Sequence, residues 1–189
     1  MATMNEKFKI GIILGSNRPG RICQTMGEWV LKTMCHESLA IDLIDLADID
    51  LPFLDEPEIP AHHHYHNEPT LVWSKLISGY DGFVLLFPQY NWGYPAVLKN
   101  ALDYLFDEWA GKPVSTICYG SHGGFQASIA MKLVTQGLNM HNMATNPSFD
   151  ISREMFDEHG QFLNIDSAFA CYRKSLQAVS SEFVDLLEK

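Results

Sequence analysis

Three short stretches of the sequence combine residue types that could bind one ligand together. Loop A is Gly15–Arg21 and carries a serine hydroxyl and two arginines. Loop B is Pro88–Pro95 and sets amide side chains beside aromatic rings. Loop C is Gly120–Gly124 and has three glycines within five residues. These groups favour a ligand with an anionic end, which the arginines would bind, and a flat ring with polar edges, which the aromatic and amide groups would contact.

Loop A leads into a helical pattern, and a helix N-terminus offers free N–H groups and a partial positive charge to a phosphate. Ser16 can donate a hydroxyl hydrogen bond, and Arg18 and Arg21 can each bind phosphate oxygens with two N–H groups. Two glycines of the loop have Walker A spacing, but Arg21 and Ile22 occupy the positions that require Lys and Ser or Thr. ATP hydrolysis is therefore not expected, and the GxGxxG dinucleotide pattern is absent. The alternative is an ordinary turn with solvated arginines.

Loop B follows the most strand-like run of the sequence, Phe83–Phe87. An ordinary connection would use Gly, Asp, Ser or Asn, whereas aromatic rings and amides suit the face and the polar edge of a flat ligand. The alternative is that the aromatic side chains of this loop only cover the end of the core. The residues expected to line the ligand are Pro88, Gln89, Tyr90, Asn91 and Trp92.

Loop C contributes Ser121, His122, Gly123 and Gly124 as candidates. Its glycines let the backbone approach a planar ring closely or adopt a positive φ. The run His122-Gly123-Gly124 resembles an esterase oxyanion loop, but no GxSxG nucleophile elbow accompanies it. His122 is either a residue at the rim of a pocket or a hydrogen-bond donor to a substrate. Together the three loops fit FMN, with its phosphate at loop A and its isoalloxazine ring between loops B and C.

Strand and helix patterns alternate five times, which predicts a parallel sheet with right-handed crossovers and helices on both faces. This α/β pattern fits a flavodoxin-like, doubly wound five-stranded sheet of order 2-1-3-4-5, in a single domain over residues 1–189. Loops A, B and C follow strands 1, 3 and 4, so they would meet at the carboxyl edge where such sheets bind ligands. The predicted strands are Phe8–Leu14, Leu39–Leu46, Asp81–Phe87, Pro113–Tyr119 and, more weakly, Asn139–Thr145. The predicted helices are Arg21–Met34, Thr70–Gly79, Ala96–Leu105, Phe125–Leu138 and Asp166–Leu187.

Composition narrows the classes of function. The net charge of −10 argues against nucleic acid and against an anionic membrane surface as partners. The four cysteines form no CxxC pair, which excludes the usual zinc and thioredoxin-type patterns. Met1–Lys9 shows no signal-peptide pattern and no apolar run approaches ~20 residues, so a cytoplasmic protein without a membrane span is expected. His62–His66 looks like a metal site but has no neighbouring Cys, and no functional metal is expected.

The chain resembles the NADPH-dependent FMN reductase and quinone reductase family. The resemblance lies in GSNRPGR at loop A, PQYNWGYPAVLKNALDYL from loop B onward and YGSHGG at loop C. It extends from about Ile10 to Gly160 and includes a late acidic segment, FDEHGQF, at Phe156–Phe162. The resemblance implies bound FMN, NADPH or NADH as hydride donor, and dimers or tetramers. It also implies two-electron, ping-pong reduction of quinones, free flavins, azo dyes or similar acceptors.

The resemblance also implies a role for each loop. Ser16, Arg18 and Arg21 would hold the phosphate, with Ile22 beside them. Pro88–Asn91 would line the isoalloxazine ring with Trp92 nearby, and Ser121–Gly124 would contact its other edge. Many members have Glu where this chain has Gln89 and Ser where it has Arg21. No catalytic side chain is expected, because hydride transfer needs no acid or base from the protein.

Two other classes of protein remain possible from the residues alone. An FMN-binding electron carrier or redox sensor would hold the same cofactor without fast NAD(P)H turnover. A P-loop-like nucleotide hydrolase is disfavoured by Arg21 and Ile22. Tyr104, Phe106 and Trp109 exceed what one buried helix face requires, so they either form a subunit interface or pack against the last helix.

Overall fold

The computed structural model describes residues 7–189, so most of the Met1–Lys9 segment lies outside the described residues. The strands are β1 (Phe8–Leu14), β2 (Leu39–Asp45), β3 (Gly82–Pro88), β4 (Pro113–Gly120), β5 (His141–Asn142) and β6 (Ser148–Asp150). The α-helices are α1 (Cys23–Thr33), α2 (Leu46–Ile49), α3 (Glu68–Ser78), α4 (Ala96–Asp103), α5 (Phe125–Gly137), α6 (Ile165–Ala168) and α7 (Arg173–Leu187). Short 3-10 turns lie at Pro60–His62, Arg153–Met155 and Ala170–Tyr172.

The strands form one parallel sheet of order β2-β1-β3-β4-β5, with β6 also paired to β4. The predicted flavodoxin-like order 2-1-3-4-5 is therefore confirmed. The central strand β3 is buried along its whole length, because helices cover both faces of a parallel sheet and its strands are apolar on both sides. The carboxyl ends of β1, β3 and β4 are neighbours, which brings loops A, B and C to one edge.

Each face of the sheet has its own hydrophobic core. Along β1, Ile12 joins a core that α1 and α7 close with residues such as Trp29 and Phe183. The next residue, Ile13, faces a second core that α3, α4 and α5 close, with Trp73 as its largest α3 side chain. Alternate residues of a strand point to opposite faces, so neighbouring isoleucines serve different cores. Among the described residues, no helix has the length and apolar character that crossing a bilayer requires.

The predicted fifth strand, Asn139–Thr145, is interrupted. Only His141–Asn142 and, further on, Ser148–Asp150 pair with β4. Between them, side chains replace the backbone ladder: Ser115 Oγ donates to Thr145 O at 2.7 Å and Thr116 N donates to Asn146 Oδ1 at 2.9 Å. The prediction of one continuous strand was wrong because hydrogen bonds of two side chains, Ser115 on β4 and Asn146 in the interruption, take the place of the backbone ladder there.

The predicted last helix, Asp166–Leu187, is also broken. The chain leaves α-helical geometry at Phe169, where φ is −111° and ψ is 14°, and α7 begins at Arg173. Phe169 is fully buried and packs on Trp29 and Phe149 with ring centroids 5.6 and 5.2 Å apart. An aromatic anchor at this point turns the chain, because a continuous helix would carry the ring past this cluster.

Two of the three aromatic residues after α4 are inside the subunit. Tyr104 and Trp109 are fully buried, and Trp109 packs on Phe83 and Trp73 at centroid distances of 5.0 and 6.3 Å. Tyr104 donates its hydroxyl hydrogen bond to Pro52 O at 2.9 Å. The prediction that these two residues form a subunit interface was wrong, and the core they join is not the one that contains α7.

Candidate cofactor site

A cavity of about 350 Å³ opens at the carboxyl edge of the sheet, between loop A and loop B. Its floor and walls come from both loops, from the end of β4 and from the segment that precedes α6. Loops A and B therefore meet at one site, as the strand order predicts. The lining residues are Ser16, Arg18, Gly20, Arg21, Ile22, Pro88, Tyr90, Tyr119, Phe156 and Gly160.

Loop A is shaped to present backbone N–H groups. Its first residue, Gly15, donates to Leu86 O at 2.8 Å, and a Cβ there would lie 2.9 Å from Leu98 Cδ2. Gly20 has a φ of +70°, which favours glycine. Ile22 is the N-cap of α1 and makes no side-chain cap. The N–H groups of the first turn of α1 therefore remain available to an anion.

Arg21 is fixed rather than solvated. Its Nη2 lies 2.5 Å from Asp45 Oδ2, and the other carboxylate oxygen of Asp45 accepts from Ala47 N at 3.0 Å. The Nε of Arg21 is buried and has no hydrogen-bond partner among residues 7–189. A buried guanidinium N–H without an acceptor is costly, and Arg21 is also one of the residues that line the cavity. Arg18 lines the same cavity from an exposed position.

Loop A and loop B are joined by a hydrogen bond between side chains. Ser16 Oγ and Tyr90 OH lie 3.0 Å apart, and Ser16 is only 1% exposed. Tyr119 lies beside them at the end of β4, where burial raises its pKa well above the ordinary range. Burial also raises the pKa of Cys23, to about 12. Both groups therefore keep their protons at pH 7 and add no charge to this part of the site.

The tip of loop B is a tight turn. Tyr90 and Gly93 exchange two backbone hydrogen bonds of 2.9 and 2.8 Å, around Asn91 and Trp92 with φ of +48° and +67°. Positive φ at both central residues defines a type I′ hairpin turn, which Asn and Gly favour and a bulky aromatic residue does not. Trp92 is 71% exposed. The turn therefore holds an indole in water in a strained backbone conformation.

Loop C is a turn of left-handed backbone. His122, Gly123 and Gly124 have φ of +63°, +67° and +67°. Asp150 Oδ1 accepts from His122 N at 2.8 Å, and a Cβ on Gly124 would lie 2.4 Å from Cys118 Sγ. The loop thus lies directly on β4, and only glycine fits at its last position.

Gln89 ties loop B to loop C. Its Oε1 accepts from Ala127 N at 3.1 Å, and its backbone N donates to Tyr119 O at 2.9 Å. Its Cβ lies 3.4 Å from the position that a Cβ on Gly124 would occupy. Gln89 therefore positions the start of α5 instead of entering the cavity.

Six of the predicted residues share the cavity, and seven lie outside its lining. The six are Ser16, Arg18, Arg21, Ile22, Pro88 and Tyr90. The seven are Gln89, Asn91, Trp92, Ser121, His122, Gly123 and Gly124, all in the neighbouring loops B and C. The residues that the prediction omitted are Gly20, Tyr119, Phe156 and Gly160. Tyr119 directly precedes loop C, and the other late residues belong to the FDEHGQF segment, which only the family resemblance singles out.

The histidine segment makes a separate cluster around one carboxylate. Ring nitrogens of His62, His64 and His66 lie 3.3, 3.4 and 3.5 Å from Glu58 oxygens. Hydrogen bonds from His66 and His62 lower the pKa of Glu58. Within the described part of the chain, no group of three or more His, Cys, Asp or Glu side chains could hold a metal ion as placed.

The fold is that of an α/β protein whose cavity lies at the carboxyl edge of a parallel sheet, the place where such sheets bind ligands. The profile of a family described as NADPH-dependent FMN reductase matches residues 8–152. An NAD(P)H-dependent FMN reductase of Schizosaccharomyces pombe is 42% identical over 160 residues, 80% of either chain. A quinone reductase of Pseudomonas putida is 26% identical over 139 residues, 68% of this chain and 70% of that one.

A solved structure agrees in fold. FerB from Paracoccus denitrificans, a flavoenzyme NAD(P)H:(acceptor) oxidoreductase, superposes with a TM-score of 0.71 at 23% identity, over 96% of this chain and 97% of that one. The chain belongs to the NADPH-dependent FMN reductase family. The assignment supports FMN and NAD(P)H as its ligands.

Proposed function

We propose that the protein is an FMN-dependent oxidoreductase that takes a hydride from NADPH or NADH and reduces quinones, free flavins, azo compounds or similar small acceptors. The observation that carries the proposal is the cavity where loops A and B meet, which is lined by the hydroxyl-bearing Ser16 and by the two cations Arg18 and Arg21. A phosphate would accept hydrogen bonds from these side chains. The names of the relatives, FMN reductase and quinone reductase, support the choice of cofactor and of acceptors.

Loop A fits the phosphate end of FMN. Arg18 and Arg21 supply positive charge, Ser16 supplies a hydroxyl, and the first turn of α1 supplies N–H groups. Asp45 holds the Arg21 guanidinium in one orientation by accepting a hydrogen bond from Nη2, and Nε has no hydrogen-bond partner among residues 7–189. A fixed donor loses less conformational entropy on binding than a free arginine does.

Loops B and C fit the ring end of FMN. Pro88 and Tyr90 line the cavity, and we propose that loop C contacts the other edge of the ring, because it directly follows Tyr119, which also lines the cavity. We propose that residues 1–189 act as one FMN-binding domain, which is supported by the single sheet that carries all three loops.

When bound, FMN supplies the redox chemistry by accepting a hydride and returning two electrons to the acceptor. For a quinone the balanced reaction is NAD(P)H plus quinone plus a proton, giving NAD(P)⁺ and hydroquinone. The protein binds and orients the reactants. Burial makes Tyr119 and Cys23 weak proton donors, because it raises the pKa of each, and we propose that the proton comes from water. We also propose a ping-pong order, in which oxidised nicotinamide leaves before the acceptor binds.

Stopped-flow mixing tests the function. Protein loaded with FMN is mixed with NADPH or NADH, and then with 1,4-naphthoquinone. Fast loss of flavin absorbance, restored by the quinone, supports the reductase, and parallel lines in double-reciprocal plots support the ping-pong order. Loss of absorbance only over many minutes supports an electron carrier or redox sensor instead. No binding of added FMN would overturn the proposal altogether.

We propose that the protein forms homodimers or homotetramers. Support comes from α5, where Phe125, Ile129 and Leu133 are exposed at intervals of four residues and so form one apolar stripe. Sedimentation velocity should give a dimer or tetramer, and Ile129→Lys should shift it toward monomer. A monomeric wild-type protein at micromolar concentration would contradict this.

We propose a cytoplasmic location. All four cysteines are free, and Cys35 and Cys171 are exposed, which suits a reducing compartment. Fluorescence microscopy of the tagged full chain measures the location, and accumulation in a secretory compartment would exclude it.

A further inference from the structure

The carboxylate of Asp45 contacts the wall of the proposed cofactor cavity from outside. Asp45 is the last residue of β2, and it pairs in register with Leu14, the last residue of β1. Loop A leaves β1 at this point, and Arg21 at the end of the loop reaches across to Asp45, with Nη2 2.5 Å from Oδ2. Arg21 lines the cavity and Asp45 does not. Asp45 therefore acts on a ligand in this cavity through Arg21 and through the field of its own charge.

The two carboxylate oxygens of Asp45 have different partners. Oδ2 accepts from Arg21 Nη2, and Oδ1 accepts from Ala47 N at 3.0 Å. The second hydrogen bond caps the N-terminus of α2 and restrains the side chain of Asp45. The side chains of Arg21 and Asp45 are only 18% and 11% exposed. A carboxylate that the backbone itself restrains can hold a guanidinium in one place.

The two arginines of the cavity differ in how firmly they are held. Arg18 lines the cavity from an exposed position and keeps the rotamer freedom of a surface side chain. Arg21 is held at both ends, because its backbone N donates to Arg18 O at 3.1 Å and its Nη2 donates to Asp45. A free arginine loses side-chain entropy when it binds an anion, whereas a held arginine has lost that entropy on folding. Arg21 is therefore the preorganised cation of the cavity.

We propose that Asp45 is a positioning residue for the phosphate of the flavin, which acts by holding the Arg21 guanidinium at the cavity. The proposal rests on the proposed FMN-dependent function and deepens it. The negative charge of Asp45 works in the opposite direction, because a carboxylate near the site repels a phosphate. Removing that charge therefore has two opposite effects on FMN affinity. The loss of the hold on Arg21 is the larger effect, so the affinity falls.

Asp45→Asn tests the proposal in the full chain, titrated with FMN and, separately, with riboflavin, which lacks the phosphate. An amide has a single oxygen, so it cannot accept from both Ala47 N and Arg21 Nη2 as the carboxylate does. Asp45→Asn should raise the dissociation constant of FMN about three- to tenfold, the size expected when binding has to immobilise one more side chain. The dissociation constant of riboflavin should not change. Flavin fluorescence measures both constants.

A double-mutant cycle separates positioning from general damage to the site. In an Arg21→Ala background, Asp45→Asn should not weaken FMN binding further, because the side chain that Asp45 positions is gone. Asp166→Asn is the matched control. It removes the carboxylate of the Arg173–Asp166 pair, and neither residue of that pair lines the cavity. Asp166→Asn should leave the affinities for FMN and riboflavin unchanged.

Three results would overturn the proposal. One is an FMN affinity that is unchanged or higher in Asp45→Asn, which would mean that the charge of Asp45 outweighs its hold on Arg21. Another is an equal loss of riboflavin affinity. The third is an equal loss of FMN affinity in the Arg21→Ala background, which would show that Asp45 does not act through Arg21. These experiments measure binding alone, so slow flavin reduction by NADPH in the wild type would refute the reductase function and leave the comparison of the Asp45 variants valid.

Discussion

Replacing Gly124 with alanine tests how loop C is built onto β4. Gly124 has a φ of +67°, and an added Cβ would lie 2.4 Å from Cys118 Sγ. Left-handed backbone costs a non-glycine residue about 1–2 kcal/mol, and overpacking a close contact costs about 1–3 kcal/mol. We expect Gly124→Ala to lower the free energy of unfolding by about 2–5 kcal/mol.

Gly160→Ala is the matched control, because Gly160 has a φ of +75° and nothing within 4 Å of an added Cβ. Gly160→Ala should lower the free energy of unfolding only by the cost of a left-handed backbone for alanine, about 1–2 kcal/mol. The difference between the two variants therefore isolates the contact with Cys118.

A double-mutant cycle with Cys118→Ala tests the same contact from the other side. Without Sγ, the nearest atoms to a Cβ on Gly124 are the Cβ atoms of Cys118 and Gln89, both at 3.4 Å, an ordinary contact. Gly124→Ala in the Cys118→Ala background should thus cost no more than Gly160→Ala does. Urea unfolding of the FMN-free protein gives each free energy from midpoint and slope. Equal losses for Gly124→Ala in both backgrounds would refute the reasoning.

Three further changes test other parts of the molecule. Arg21→Ala should raise the dissociation constant of FMN about 10- to 100-fold, because a hydrogen bond to a charged group contributes about 1.5–3 kcal/mol; an unchanged constant in isothermal titration would remove Arg21 from the site. Trp92→Gly should raise the free energy of unfolding by about 0.5–1 kcal/mol, since glycine relieves the positive φ at that position, and a lower thermal midpoint would contradict this. The Trp29 indole N–H and the Arg173 guanidinium lower the pKa of Asp166 below its ordinary value of 3.8, so this carboxylate stabilises the fold fully above pH 3.8 and loses that effect as the pH falls through the lowered pKa. Asp166→Asn should therefore lower the free energy of unfolding at pH 7 but not at a pH below the lowered pKa. If the variant is still less stable than the wild type at that low pH, the loss does not come from the charge of Asp166.

Much of the fold can be predicted from local pattern. Buried parallel strands such as Phe8–Leu14 are short continuous apolar runs, and the structure assigns β1 the same bounds. The pattern fails where long-range packing decides. Phe169 breaks the last helix because Trp29 and Phe149 provide a pocket for its ring, and neither residue is near it in sequence.

The site was predicted to the level of the loops, but not to the level of each side chain. Ser16 and Tyr90 could be predicted because each follows a strand whose end lies at the same edge. The partner of Arg21 could not be predicted. Asp45 lies at the end of another strand, β2, and nothing in the sequence distinguishes it from a solvated carboxylate. Likewise, nothing in the sequence predicts that the side-chain Oε1 of Gln89 accepts a hydrogen bond from Ala127 N.

The break between β5 and β6 has a consequence for self-association in solution. A straight, unpaired strand edge is a template on which another chain can add and start aggregation. Here the outer edge next to β4 consists of two short pieces, of two and three residues. Pro147, just before the second piece, has no backbone N–H group to donate. The side-chain amide of Asn146 is already used, because its Oδ1 accepts from Thr116 N and its Nδ2 donates to Met143 O. An incoming strand would find too few consecutive hydrogen-bonding groups at this edge to extend the sheet.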